Sequence, residues 1–153
     1  MLNKNVVEFV ELCKKTQNEL LKYLPKVLLN FYKKKKINAT KDYIFVKGDI
    51  PVLLVAHLDT VHKKTVANVW IDYTQNIIKS DEGIGGDDRC GVYAILNILK
   101  KSTQRPFILF TTNEEIGGVG VAKFCKDYAK KGLDVNCMIE IDRRGHNDVV
   151  RYD

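Results

Sequence analysis

The sequence predicts an α/β protein built on a mainly parallel mixed sheet flanked by helices. Three short apolar runs carry this reading: Pro51–Ala56, Pro106–Thr111 and Cys137–Asp142. Each has the length of a strand, and each is nearly continuous, as expected of strands buried on both faces. The segments between them carry apolar residues at helical spacing. Strands alternating with helices imply parallel pairing through right-handed crossovers.

Taken in order, residues 5–32 read as helix, with Val6, Phe9, Val10 and Cys13 on one stripe. Thr16-Gln17-Asn18-Glu19 has the form of a capping box and predicts a second helix start. Leu20, Leu21, Leu24, Leu28 and Phe31 continue the stripe, and Pro25 is expected to kink or restart the helix. Lys33–Lys36 then reads as a solvated helix end favoured by the dipole, in preference to a nucleic-acid contact. Tyr43–Val46 is a short strand. The run Pro51–Ala56 follows and ends in His57-Leu58-Asp59-Thr60. Val69–Tyr73 and Asn76–Lys79 alternate as a hairpin around Thr74-Gln75.

Gly83-Ile84-Gly85-Gly86 turns the chain, and one of Asp87 and Asp88 is placed to cap the next helix. Val92, Ile95, Leu96 and Leu99 make that helix amphipathic to about Lys101. Pro106–Thr111 ends in Thr112-Asn113-Glu114-Glu115. Val121, Phe124, Cys125 and Tyr128 mark a further helix, with Gly132 at its C-terminal cap.

A chain of 153 residues, 45% hydrophobic and 29% charged, suits a single domain over residues 1–153 with its own core. A formal charge of +6 is too modest to argue for a polyanionic partner, and no nucleic-acid motif accompanies it. No stretch has the length and apolarity of a membrane span or a signal peptide. The four cysteines form no Cys-x-x-Cys pair, so they read as reduced core thiols of a cytoplasmic protein.

Ligands of such sheets bind outside the carboxyl ends of the strands. His57, Glu114, Glu115 and Asp142 stand at those ends, and Asp87 opens a helix facing the same rim. His57 and Asp59 lie two apart and can share a face, so Asp59 can orient the imidazole through its second ring nitrogen. Glu114 and Glu115 require the backbone to turn between them, which the nearby glycines allow. Two close carboxylates resist ionising together unless a cation compensates. One of the pair can bind a metal while the other serves as general base. Imidazole mixed with carboxylate suits zinc, cobalt or manganese better than calcium.

Four stretches together resemble the co-catalytic di-zinc exopeptidase superfamily of peptidase T, aminopeptidases and carboxypeptidase-like amidohydrolases. They are Leu53–Val61, Gly85–Gly91, Thr112–Gly117 and Ile139–Asp142, in the family's order. The resemblance covers about residues 50–145 and implies that family's catalytic domain without a lid domain. It implies a zinc-dependent hydrolase of peptides or small amides, with one or two Zn2+ per chain and Co2+ or Mn2+ as substitutes. His57 and Asp142 resemble ligands of a first metal, Asp87 the bridging carboxylate and Glu115 a ligand of the second metal. Glu114 resembles the general base, with Asp59 as partner of His57. The family usually takes one more histidine from a segment well after Asp142, and this chain ends eleven residues later. His146 is too close along the chain for that position, and His62 would need rearrangement. A catalytically impaired homologue that binds metal or peptide is therefore the alternative reading, and an oligomer stays open.

Overall fold

The computed structural model describes residues 4–142, 145 and 149–152. The sheet is built from β1 (Ile37–Ala39), β2 (Tyr43–Val46), β3 (Ile50–His57), β6 (Pro106–Thr111) and β7 (Cys137–Glu140), in the order β1-β2-β6-β3-β7. β3 pairs parallel with β6 on one side and with β7 on the other. β2 runs antiparallel to both β1 and β6, so it alone opposes the direction of the other four. The expected mainly parallel mixed sheet is the one found. β4 (Trp70–Asp72) and β5 (Ile77–Lys79) form the separate hairpin.

Side chains alternate across the sheet with the period of two that a strand imposes. Ile44, Val46, Leu54, Ala56, Ile108 and Phe110 face one apolar cluster. That cluster is completed by leucines, an isoleucine and a valine from α1 (Lys4–Cys13), α2 (Gln17–Leu28) and α3 (Gly86–Lys101). Tyr43, Phe45, Leu53, Val55, Phe107 and Leu109 face the other side, where they meet Phe124 of α4 (Val119–Tyr128). The architecture is therefore helix, sheet, helix in three layers.

The helix expected over 5–32 is two helices and a turn. The capping box forms: Thr16 Oγ1 accepts from Glu19 N–H at 3.2 Å, and Glu19 accepts from Thr16 N–H at 2.8 Å. Pro25 lies inside α2 without ending it. Leu20, Leu24 and Leu28 are fully buried. At about 1.5–3 kcal/mol each, their burial outweighs the roughly 3 kcal/mol cost of an interior proline. Lys34–Lys36 form one 3-10 turn beyond α2, leading into β1, and not a continued helix end.

Two expectations are corrected. β7 is an exposed edge strand, with Met138 64% and Ile139 47% exposed. Its apolar run resembles that of β3, but neither apolar cluster includes a β7 residue among the described residues. An apolar run fixes a strand and not its place in the sheet. Of the cysteines only Cys13 is a core thiol; Cys90, Cys125 and Cys137 are exposed.

Candidate metal centre

β3 delivers His57 to the carboxyl rim in register with Thr111 of β6, and Leu58 N–H still donates to Thr111 O at 2.8 Å. Beyond it the chain leaves the sheet, and Asp59 turns back to His57 Nδ1 at 3.3 Å. The other ring nitrogen, Nε2, faces a group of acids. Asp87 Oδ1 lies at 3.0 Å, Asp142 Oδ2 at 3.7 Å and Glu114 Oε2 at 4.0 Å. One ligand atom each from His57, Asp87 and Glu115 lie within 4.8 Å of one another. The six residues singled out in the sequence thus meet on one rim.

Each acid has a local reason for its place. Asp87 and Asp88 depart from helical backbone at the start of α3, after Gly85 at a φ of 65° that favours glycine. Asp87 then turns to the imidazole while Asp88 turns inward. Asp88 is 2% exposed and accepts from Gly91 N–H at 2.8 Å and from His57 N–H at 3.2 Å. The N-cap of α3 is Gly85, with no side-chain cap, so neither aspartate caps the helix start as expected; Asp88 instead braces the kink inside it. Asp142 follows β7, and Ile141 N–H donates to Val55 O at 3.1 Å, which keeps the chain beside β3 up to the rim.

The Glu114–Glu115 turn is held from two sides. Asp59 Oδ1 accepts from Glu114 N–H and Asp59 Oδ2 from Glu115 N–H, both at 3.0 Å. From α2, Gln17 Nε2 donates to Asn113 Oδ1 at 2.9 Å, and Asn113 N–H donates to Gln17 Oε1 at 3.0 Å. That pair of bonds supports Asn113 at a φ of 56°. Asp59 therefore orients His57 and also fixes the glutamate turn, a second role that its spacing from His57 did not reveal.

The electrostatics follow from this crowding. Burial opposes the ionisation of Asp59, but hydrogen bonds from His57 and from Glu114 and Glu115 N–H outweigh it and hold its pKa at about 2. Burial likewise opposes the imidazolium of His57, and bonds to Asp59 and Asp87 overcome it and raise its pKa to about 9. Burial pushes Asp88 up to about 7. Asp142 is raised as well, by burial and then by the charge of Asp87. A buried imidazole nitrogen facing carboxylates from Asp87, Asp142 and Glu114 is the donor chemistry of a divalent cation site, so the residues present fit a metal.

Arg89 is a further site-building residue. It is 3% exposed, donates through one terminal nitrogen to Leu58 O, and through the other to Lys15 O at 2.9 Å. The sequence held one signal for it: a cation in the first turn of a helix opposes the dipole and needs a local reason. His62 is not grouped with His57, Asp87 and Glu115, and its ring lies against Gly83. His146 lies outside the described residues.

Fold and site together define a three-layer α/β protein with an imidazole–carboxylate cluster at the carboxyl rim of its sheet. Residues 36–152 match Peptidase family M28, and the chain belongs to that family. No curated protein matches the sequence. Among solved structures, the chain is similar to a tripeptidase from Staphylococcus aureus, with a TM-score of 0.66 and 20% identity over 93% of this chain and 43% of that one. It is also similar to aminopeptidase PepT from Bacillus cereus, with a TM-score of 0.65, 20% identity and the same coverage. The chain thus spans less than half the length of these two structures.

Proposed function

We propose that this chain is a zinc-dependent exopeptidase of aminopeptidase type, hydrolysing peptide or related small amide bonds. The observation that carries the reading is His57 Nε2 within 4.0 Å of carboxylates from Asp87, Asp142 and Glu114, with Asp59 behind the ring. His57, Asp87, Glu115 and Asp142 would hold the metal. A zinc ion, or cobalt or manganese in its stead, supplies Lewis acidity to the scissile carbonyl and a water that ionises near neutral pH.

The chain's own groups do the rest. Asp59 fixes the tautomer of His57 by accepting at Nδ1, so that Nε2 presents its lone pair to the cation. Glu114 takes the proton of the attacking water and passes it to the leaving amine. Its N–H, held by Asp59, keeps that carboxylate on the rim. No helix among the described residues is long and apolar enough to cross a membrane, and three exposed free thiols fit a reducing, cytoplasmic setting.

Replacing Glu114 with Gln tests the assignment. Zinc content by elemental analysis should stay unchanged while peptide turnover falls by about 10²-fold or more. Undiminished turnover would remove Glu114 from the mechanism. A second reading, metal and peptide binding without catalysis, is favoured by the single imidazole in the cluster among the described residues. Saturable peptide binding with no hydrolysis at saturating zinc or cobalt would establish it.

A further inference from the structure

We propose that a cleft at the amino rim of the sheet, at the opposite end of the strands from the acid cluster, binds a compact oligophosphate. The strands set its place. β3 begins at Ile50 and β6 at Pro106, while β2 runs the other way and ends at Val46. The segments that meet there carry Lys33–Lys36 before β1, Lys47 and Asp49 between β2 and β3, and Arg105 before β6. Phe31, Tyr32, Lys33, Lys35, Lys36 and Asp49 line a cavity of about 390 Å³, the size of a small-molecule site.

The walls of the cavity are tied together. Tyr32 is buried and donates from its hydroxyl to Pro106 O at 2.7 Å. Arg105 lies over the Phe31 ring, 5.6 Å from its centroid, and its Nε donates to Phe31 O at 3.3 Å. Asp49 N–H donates to Arg105 O at 2.6 Å, and Lys47 N–H to Lys36 O at 2.9 Å. The charge of the lining is one-sided. Asp49 is its one acid, and it pairs with Lys36. Lys33 and Lys35 make no ion pair among the described residues. A helix dipole does not account for them, because α2 ends at Leu28 and the dipole acts only within the last turn. Lys36 N–H instead donates to Lys33 O at 2.9 Å, closing a 3-10 turn that keeps like charges close. Crowded cations in a cleft favour a ligand with several negative charges. Lysine is a hydrated point charge that meets phosphate without the planar match an arginine requires. The aromatic residues disfavour a nucleic-acid strand. Arg105 covers one face of Phe31 and Tyr32 is buried, so neither offers the open platform on which bases stack. A soluble oligophosphate and a phosphorylated lipid headgroup present the same group to this cleft.

Titration calorimetry with sodium tripolyphosphate tests the cleft. Zinc-loaded wild type is compared with Lys33→Glu plus Lys35→Glu, and with Lys41→Glu plus Lys64→Glu. The second pair makes the same change of net charge at exposed positions away from the amino rim, in the turn between β1 and β2 and in the segment after β3. All three proteins keep the acid cluster, so heat from zinc capture by the probe is common to them. Wild type should bind the probe saturably at one site. Reversal of Lys33 and Lys35 should weaken binding about tenfold or more, and the control reversal should change it by less than about twofold. Should the first reversal unfold the chain, Lys33→Gln plus Lys35→Gln reads the same contrast with a loss of about threefold. Phosphatidylcholine vesicles carrying phosphatidylinositol bisphosphate separate the two sources. Pelleting that tripolyphosphate reverses assigns a lipid headgroup, and no pelleting assigns a soluble ligand. No calorimetric binding, binding that survives the changes at Lys33 and Lys35, or equal weakening by both reversals overturns the proposal. So does capture on vesicles or on an oligonucleotide that tripolyphosphate does not displace.

Discussion

Asp59→Asn is the substitution that reports most on how the site is held. The carboxylate accepts at Oδ1 from Glu114 N–H and faces His57 Nδ1, and accepts at Oδ2 from Glu115 N–H. An asparagine of the same shape offers one oxygen. Keeping Oδ1 in place turns its NH2 toward Glu115 N–H, so one charge-assisted bond is lost and a donor faces a donor. Flipping the amide sacrifices two contacts. Bonds to charged groups contribute about 1.5–3 kcal/mol each, so the metal-free protein should lose roughly 2–4 kcal/mol of stability. Urea unfolding at pH 7 measures this as a lower midpoint at unchanged slope. The pH dependence gives a second check. The pKa of Asp59 is depressed from its ordinary 3.8 to about 2, so its contribution is present above pH 3.8 and is lost as pH falls through about 2. The gap between wild type and variant should stay constant down to about pH 4 and then close. A difference below about 0.5 kcal/mol at pH 7 would refute the claim that this carboxylate holds both the imidazole and the glutamate turn.

Other outcomes follow from the same geometry. A Cβ at Gly91 would overlap the Asp88 carboxylate and the Ile141 carbonyl, so Gly91→Ala should cost about 1–3 kcal/mol in urea unfolding and weaken zinc binding. Thr16→Ala removes the capping box of α2 and should cost about 1 kcal/mol with zinc content unchanged. In the metal-free protein the pKa of His57 is raised to about 9. Its stabilisation is therefore complete below pH 6.5 and is lost as pH rises through about 9. NMR of the ring should show that midpoint, and a midpoint at or below 6.5 would contradict the paired geometry.

Much of this arrangement was legible because the informative residues are local signals at strand ends. The apolar runs of β3 and β6 located the rim, and His57, Glu114 and Glu115 follow them directly in sequence. The Thr16–Glu19 box and the glycine turn before α3 are encoded within a few residues and formed as read. What stayed hidden depends on partners distant in sequence. β7 reads like a central strand, yet its burial is set by what lies beside it. Pro25 reads as a kink or a restart, but three buried leucines carry α2 through it. Neither Asp59's grip on the glutamate turn nor Arg89's carbonyl partners could be seen, because hydrogen bonds between segments leave no periodicity. β1 is three residues long, too short to carry a pattern.

The clasp between Gln17 and Asn113 lies astride the boundary of the family match, which begins at residue 36. Every donor of the cluster belongs to the matched stretch, yet one of the two anchors of its glutamates comes from outside it. Trimming the protein to the shared region would keep every residue of the cluster and free the turn that presents Glu114 and Glu115. For this chain, the segment least informative about ancestry is mechanically part of the acid cluster's support.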